Sequence, residues 1–303
     1  MRLGYACINR SLPCKANRSF RLASLTPQRF WSTVEQNLDC LGEILRFNLE
    51  HGLLFFRISS DIIPFASHPA MTLPWQACCR SRLQALGDFC NRSGMRISMH
   101  PDQFILLNSP DRQILDSSLR ELYYHADFLQ GMGLDQSAKI QVHVGGVYGD
   151  KPAALARFRE QVVRLEPRLR QRLAVENDDV RFSLRECLQL HAETGVPVIF
   201  DSLHHALLHE ADAAGSAEGL ALAAKTWKSG DGPPMVDYAS PDPLGRRGKH
   251  AEHLDPKDFL AFVQETKNHD FDLMLEIKDK EASALAALSL IRDDPRLVSS
   301  AKA

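Results

Sequence analysis

No run of apolar residues in this chain approaches the roughly 20 that a membrane-crossing helix requires. The opening segment, Met1-Arg2-Leu3-Gly4-Tyr5-Ala6-Cys7, contains no signal-peptide apolar region before Asn9 and Arg10 interrupt it. A cytoplasmic protein with no membrane association is therefore expected. No C-x-x-C pair occurs among the seven cysteines, Cys7, Cys14, Cys40, Cys78, Cys79, Cys90 and Cys187. So odd and scattered a set argues for reduced thiols rather than a disulfide framework or a zinc knuckle. Neither charge sign dominates, since the net charge is −2. The chain as a whole does not advertise nucleic-acid binding, and any basic footprint has to be local. No linker or low-complexity tract divides the 303 residues, so the reading is one domain, residues 1–303.

What the chain does contain is an ordinary globular balance, 44% hydrophobic and 24% charged, with ample material for a core. It also contains a repeated grammar. Short runs of strand formers stop abruptly on residues of metal-ligand type. Met95-Arg-Ile-Ser-Met leads to His100, Lys139-Ile-Gln-Val to His143, and Leu173-Ala-Val to Glu176. Val196-Pro-Val-Ile-Phe leads to Asp201, with His204 three positions on; Met235-Val leads to Asp237 and Phe271-Asp-Leu-Met-Leu to Glu276. An apolar side chain in a buried strand needs only a packed neighbour, whereas a carboxylate at its end must be paired, hydrogen-bonded or metal-bound.

Helical periodicity fills the intervals. Thr26-Pro27 reads as a cap with proline in the first turn, ahead of a stripe of Phe30, Val34, Leu38, Leu41 and Leu45 that runs to Gly52. Strands are expected at Arg2–Cys7 and Leu53–Ile58, and a helix from about Trp75 to Gly94. Ser109-Pro110 is the expected start of the next helix; Ser183 with Glu186 makes a capping box, and Asp255-Pro256 caps a late helix. Strand and helix alternate in eight units, which implies parallel β-α connections and a closed (β/α)8 TIM barrel of the α/β class. In such a barrel the strand ends converge on one rim, so the terminal His, Asp and Glu residues face one pocket.

Each of these residues has a bland reading. His143 alone could be a hydrogen-bonded structural histidine, Asp201 a helix cap, Glu176-Asn177-Asp178-Asp179 a solvated turn, and Glu276 an exposed partner of Lys278 and Lys280. Jointly these readings fail, because six consecutive strands end the same way. Imidazole and carboxylate without thiolate suit manganese, zinc, iron or cobalt better than magnesium or calcium. So many ligands overfill one ion and point to two or three. A divalent cluster in a barrel mouth suits in-line phosphodiester hydrolysis. Gly145-Gly146 is a turn or a weak phosphate loop. Arg246, Arg247 and Lys249 form a solvated loop or a phosphate contact.

Together, Arg2-Leu-Gly-Tyr5 through Asn9, Ile63-Pro-Phe-Ala-Ser-His68-Pro, Ser98-Met-His100-Pro, His143-x-Gly-Gly, Leu173-Ala-Val-Glu176-Asn-Asp and Asp201-x-x-His204-His205 resemble the UV damage endonuclease family. The resemblance runs from Arg2 to about Glu281. It implies a barrel related to endonuclease IV that nicks damaged double-stranded DNA immediately 5′ of a UV photoproduct, leaving a 3′-hydroxyl and a 5′-phosphate. A divalent metal cluster is implied, commonly assigned as manganese. The implied ligands fall on His68, His100, His143, Glu176, Asp201, His204, His250 and Glu276. Glu176 bridges two ions and Glu276 completes one coordination shell. The probing pair of the family falls on Gln103-Phe104, and Tyr5 and Asn9 match positions near the flipped lesion and scissile phosphate. The chain is expected to act as a monomer.

Two departures concern the seventh strand, where the family pattern Lys-x-His is Met235-Val-Asp237. This exchanges a carboxylatable lysine for Met235 and an imidazole for Asp237. By strand alternation Asp237 lies at the rim with Met235 one pleat deeper; it is then a ligand favouring harder ions such as manganese, unless it points away and the site has lost a metal. A third departure is Phe104, which keeps a stacking face where the family has tyrosine. Rival readings are a metal-bearing sugar isomerase or epimerase, and a barrel that binds damaged DNA without cutting it.

Overall fold

In a computed structural model the protein is described over residues 1–101, 104–208, 215–243, 245–246 and 248–298. Eight parallel strands close into a barrel in chain order. They are β1 (Leu3–Cys7), β2 (Phe55–Ile58), β3 (Arg96–Met99), β4 (Lys139–His143), β5 (Leu173–Glu176), β6 (Val198–Asp201), β7 (Met235–Tyr238) and β8 (Asp272–Leu275). The helices between and after them are α1 (Pro27–Glu50), α2 (Trp75–Cys78), α3 (Arg80–Ser93), α4 (Arg112–Gly131), α5 (Lys151–Arg164), α6 (Pro167–Arg170), α7 (Leu184–Thr194), α8 (Ser202–Leu207), α9 (Ser216–Ala224), α10 (Pro256–Glu265) and α11 (Glu281–Leu290). The expected (β/α)8 architecture is the one observed.

Local chemistry explains the element boundaries. Thr26 accepts the Arg29 N–H at the start of α1, and the stripe Phe30, Val34, Leu38, Leu41 and Leu45 is its buried face. Burying each such side chain contributes about 1.5–3 kcal/mol. The capping box of Ser183 and Glu186 opens α7. Two expectations need correction. The helix expected to run unbroken from Trp75 is interrupted at Cys79 and becomes α2 and α3. The cap of α4 is Asp111, which accepts from the Gln113 and Ile114 N–H groups, while Ser109 accepts from Asp111. A carboxylate is the better partner for a helix N-terminus because it also meets the dipole.

The cysteines need a third correction. Cys14 and Cys40 form a disulfide with Cα atoms 5.7 Å apart, fastening the loop after β1 to α1. Reduced thiols were expected throughout. Their separation of 26 residues gives no hint of the pairing, because it is the fold of α1 over that loop that brings them together. The cysteine argument for a reducing compartment therefore falls. Among the described residues no helix is long and apolar enough to cross a membrane.

The barrel interior is layered. At the end where the strands begin, Arg96 reaches Asp272 at 2.9 Å and Lys139 reaches Asp231 at 2.6 Å, with the Trp227 ring against both cations. Above this ionic plug, Ala6, Phe55, Ala174, Ile199, Met235 and Met274 form an apolar girdle separate from the larger core between strands and helices. One pleat further on lie Arg57, Glu176, Asp201, Asp237 and Glu276. The two-residue period of a strand thus places a polar rim directly over the girdle.

Candidate metal centre

The strand register sets the neighbours at the rim, pairing His143 with Glu176 and Asp201 with Asp237. Glu176 is the hub. Nε2 of His100 and Nε2 of His143 each lie 3.6 Å from its Oε2, and Nδ1 of His204 lies 3.2 Å from its Oε1. Ligand atoms fall into two groups that share Glu176: His100, His143 and Glu176, and Glu176, Asp201 and His204, with the atoms in each within 4.8 Å of one another. Asp201 does cap the next helix, as its bland reading held, with Oδ1 accepting the His204 N–H at 2.7 Å. Its other oxygen, Oδ2, lies 3.6 Å from Nδ1 of His204.

Glu176-Asn177-Asp178-Asp179 is not a solvated turn. Asn177 is buried and clasps the Asp201 backbone in both directions at 3.0 Å, and Asp178 accepts from the N–H groups of Val180, Arg181 and Phe182. This clasp holds β5 and β6 so that their terminal carboxylates face each other. Gly145 is needed where it stands, at φ +112°, because a Cβ there would lie 2.4 Å from Asn108 Oδ1. Asn108 in turn donates to the Gly146 carbonyl and fixes the loop behind His143.

The donor set fits a divalent ion. Asp201 Oδ2 is buried with no hydrogen-bond partner among the described residues. An orphan of this kind is costly unless something else satisfies it. The electrostatics point the same way. Burial pushes the Asp201 carboxyl up to about 7, and burial pulls the His100 imidazole down to about 4. Burial also opposes the charged form of His204, yet Asp201 and Glu176 outweigh it and lift that imidazole to about 11. Glu176, despite its burial, is held well below the usual carboxylate range by His143, His204 and His100. Buried anions here compete for protons that an ion would displace.

The sequence reading overlooked Arg57. It follows Phe55 on the inward face of β2 and is 2% exposed. One of its terminal nitrogens lies 2.9 and 2.8 Å from the two oxygens of Asp237 and 2.8 Å from Gln141 Oε1; the other pairs with Glu276. Gln141 also donates to Asp237 and, at 2.6 Å, to Glu176. Burial disfavours the Arg57 cation, but Asp237 and Glu276 more than compensate. Burial pushes Glu276 up as well, and Arg57 overrides it to hold that carboxyl at about 2. The Asp237 carboxyl is raised by its burial against the pull of Arg57. A charged residue inside the apolar run Leu53–Ile58 was the signal available, since it demands a buried partner.

Other expected site residues lie as follows. Asp237 points inward, but both oxygens face Arg57 and Gln141 instead of joining the two ligand groups. His250 lies beside Glu276, with Nδ1 3.8 Å from Oε2. His68 is exposed on the loop after β2, its Nδ1 accepting the Ala70 N–H, and it stands outside both ligand groups. Tyr5 and Asn9, expected near the flipped lesion and scissile phosphate, are buried. The Tyr5 hydroxyl is fully buried between Asn48 and Asn9, and the Asn9 carbonyl accepts from the Ser11 and Leu12 N–H groups. Both spend their polar atoms inside the fold. Gln103 and Arg247 lie outside the described residues. Phe104 is 74% exposed and Arg246 is also exposed.

Two depressions meet at this rim. One, of about 390 Å³, is lined by Arg57, His100, His143, His250, Glu276, Lys278 and Lys280, among others. The neighbouring groove, of about 640 Å³, includes His100, His143 and His204 together with Phe104, Tyr148 and Val180. These last three are large apolar side chains left in solvent.

A family model for UV-endonuclease UvdE matches residues 1–300. The chain belongs to that family. Among its members, the chain is similar to the UV DNA damage endonuclease of Clostridium perfringens (strain 13 / Type A), 35% identical over 294 residues, which cover 97% of this chain and 71% of that protein. It is similar to the UV DNA damage endonuclease of Bacillus velezensis at 32% identity over 271 residues, covering 88% of this chain and 84% of the relative. The crystal structure of SacUVDE superposes with a TM-score of 0.91 at 42% identity, covering 97% of this chain and 98% of the other. Endonuclease IV from Thermus thermophilus matches with a TM-score of 0.57 at 18% identity, covering 84% of this UvdE-family chain and 93% of its own, a likeness of fold alone.

Proposed function

We propose that this protein is a metal-dependent UV damage endonuclease. On this reading it nicks damaged double-stranded DNA immediately 5′ of cyclobutane pyrimidine dimers and 6-4 photoproducts, leaving a 3′-hydroxyl and a 5′-phosphate. The observation that carries the reading is the convergence of His100, His143, Asp201 and His204 on Glu176, beside a groove that presents an exposed Phe104, in a chain of the UvdE family. Glu176, His100, His143, Asp201 and His204 would hold divalent ions, manganese foremost, whose chemistry there would be to lower the pKa of an attacking water and stabilise the leaving oxygen.

The remaining work falls to the chain's own groups. Glu176 is shared between the two ligand groups and fixes their separation. His100 and His143 hold one side, Asp201 and His204 the other, and Glu276 is kept anionic and oriented by Arg57. Lys278 and Lys280 at the pocket wall, with Arg246 further out, attract the phosphate backbone. Phe104, with Gln103, fills the gap left by extruded bases, and Tyr148 and Val180 offer apolar surface to those bases in the same groove. Extrusion is least costly where a lesion already stacks and pairs poorly. We take the protein to work as a single-domain monomer in the cytoplasm.

Relaxation of a supercoiled plasmid tests the reading. Manganese with the protein should open UV-irradiated plasmid, leave unirradiated plasmid closed, and fail in excess chelator. Equal opening of both plasmids would remove lesion recognition from the proposal, and opening of neither would remove the endonuclease.

A further inference from the structure

The rim carries four buried or nearly buried carboxylates, Glu176, Asp201, Asp237 and Glu276, but only two of them belong to the ligand groups. Resting on the metal-dependent reading above, we propose that Arg57 is a built-in cation filling the Asp237–Glu276 side of the rim. The centre then takes two divalent ions, and Asp237 is a counter-ion rather than a ligand.

Geometry carries this first. Both Asp237 oxygens lie within 2.9 Å of one Arg57 nitrogen, and Gln141 donates to one of them as well. A carboxylate engaged this way has its lone pairs aimed at hydrogens and not at an open position. The second Arg57 nitrogen takes Oε1 of Glu276, which leaves Oε2 facing His250. An arginine cannot give up its proton to make way for an ion, and this one is enclosed by Gln141, Asp237 and Glu276.

Charge carries it second. Arg57 already sets a positive charge against Asp237 and Glu276 in a buried site, so another cation on that side would meet the guanidinium at close range with no unpaired carboxylate there to offset it.

Metal counting tests this without DNA. Protein stripped with chelator, reloaded with manganese and desalted is analysed by inductively coupled plasma mass spectrometry. Two ions per chain are expected. Asp237→Asn, nearly isosteric, should still hold two. Arg57→Met, which frees Asp237 and Glu276 beside His250, should take up a third, and Arg57→Lys should return the count to two. Any wild-type count other than two overturns the proposal, as does a count below two in Asp237→Asn or an unchanged count in folded Arg57→Met. If Arg57→Met does not fold by circular dichroism, the wild-type and Asp237→Asn counts decide alone. A protein that holds two ions but does not nick irradiated DNA would contradict the proposed function and leave this inference standing.

Discussion

Replacing Arg57 by methionine keeps much of the side-chain volume and deletes the guanidinium that pairs Asp237 and Glu276. Arg57 and Asp237 are 3% and 0% exposed, so solvent cannot take over the lost interaction at Asp237. Breaking a buried ion pair from one side costs about 3–5 kcal/mol, because the other charge is left uncompensated. Glu276 is 16% exposed and can recruit water, so Asp237 carries most of the effect. We expect a loss of about 3 kcal/mol at pH 8 in the metal-free protein. The sign of the pH dependence follows from Asp237, whose carboxyl is raised by burial and rises further once Arg57 is gone. The folded variant then holds a proton that the unfolded chain releases above about pH 3.9. Stability is lost as pH climbs, and the gap to wild type narrows toward acid. Urea unfolding of both proteins in chelator at pH 5 and pH 8 measures it. A gap below about 1 kcal/mol at pH 8, or an equal gap at both pH values, would refute the reasoning.

Glu176→Gln should abolish nicking and reduce manganese content while leaving the circular dichroism spectrum intact, since the amide keeps the shape and removes the shared charge; cleavage at the wild-type rate would take Glu176 out of the centre. Phe104→Ala should weaken discrimination between damaged and intact duplex by about 1–3 kcal/mol, the scale of a lost base-stacking contact, with the salt dependence unchanged. Unaltered lesion preference would exclude that ring as the probe. Near pH 7, manganese binding should release at least one proton per chain, because His204, lifted to about 11 in the metal-free protein, must lose its proton to become a ligand. Calorimetry in two buffers of different ionisation enthalpy reads that release, and identical heats in both would contradict it.

The barrel was legible because its signals are local. Apolar runs of strand length, helix caps at Thr26 and Asp255, and a ligand-type residue at six of the eight strand ends need no knowledge of what lies across the fold. Glu176, His143 and Asp201 could be placed on one rim from their positions at strand ends alone. What stayed hidden depends on distant partners. Arg57 finds Asp237 at a separation of 180 residues and Glu276 at 219, and nothing in the run Leu53–Ile58 names them. Cys14 and Cys40 meet only once α1 has folded back over its preceding loop. Tyr5 and Asn9 carry the right residue types for a family resemblance, yet their polar atoms are already satisfied by Asn48 and by the turn at Ser11. Asp237 combines both cases: its direction was readable from the pleat, and its partner was not.

The central claim is that the Glu176-centred cluster cuts DNA at a UV lesion. A 5′-end-labelled duplex containing one cyclobutane dimer, incubated with the protein and manganese, tests it most directly. The account predicts a single labelled product ending in a 3′-hydroxyl immediately 5′ of the dimer, absent with chelator and absent with Glu176→Gln. A duplex that stays intact under every divalent metal tried, or is cut with equal frequency where no dimer is present, would contradict it.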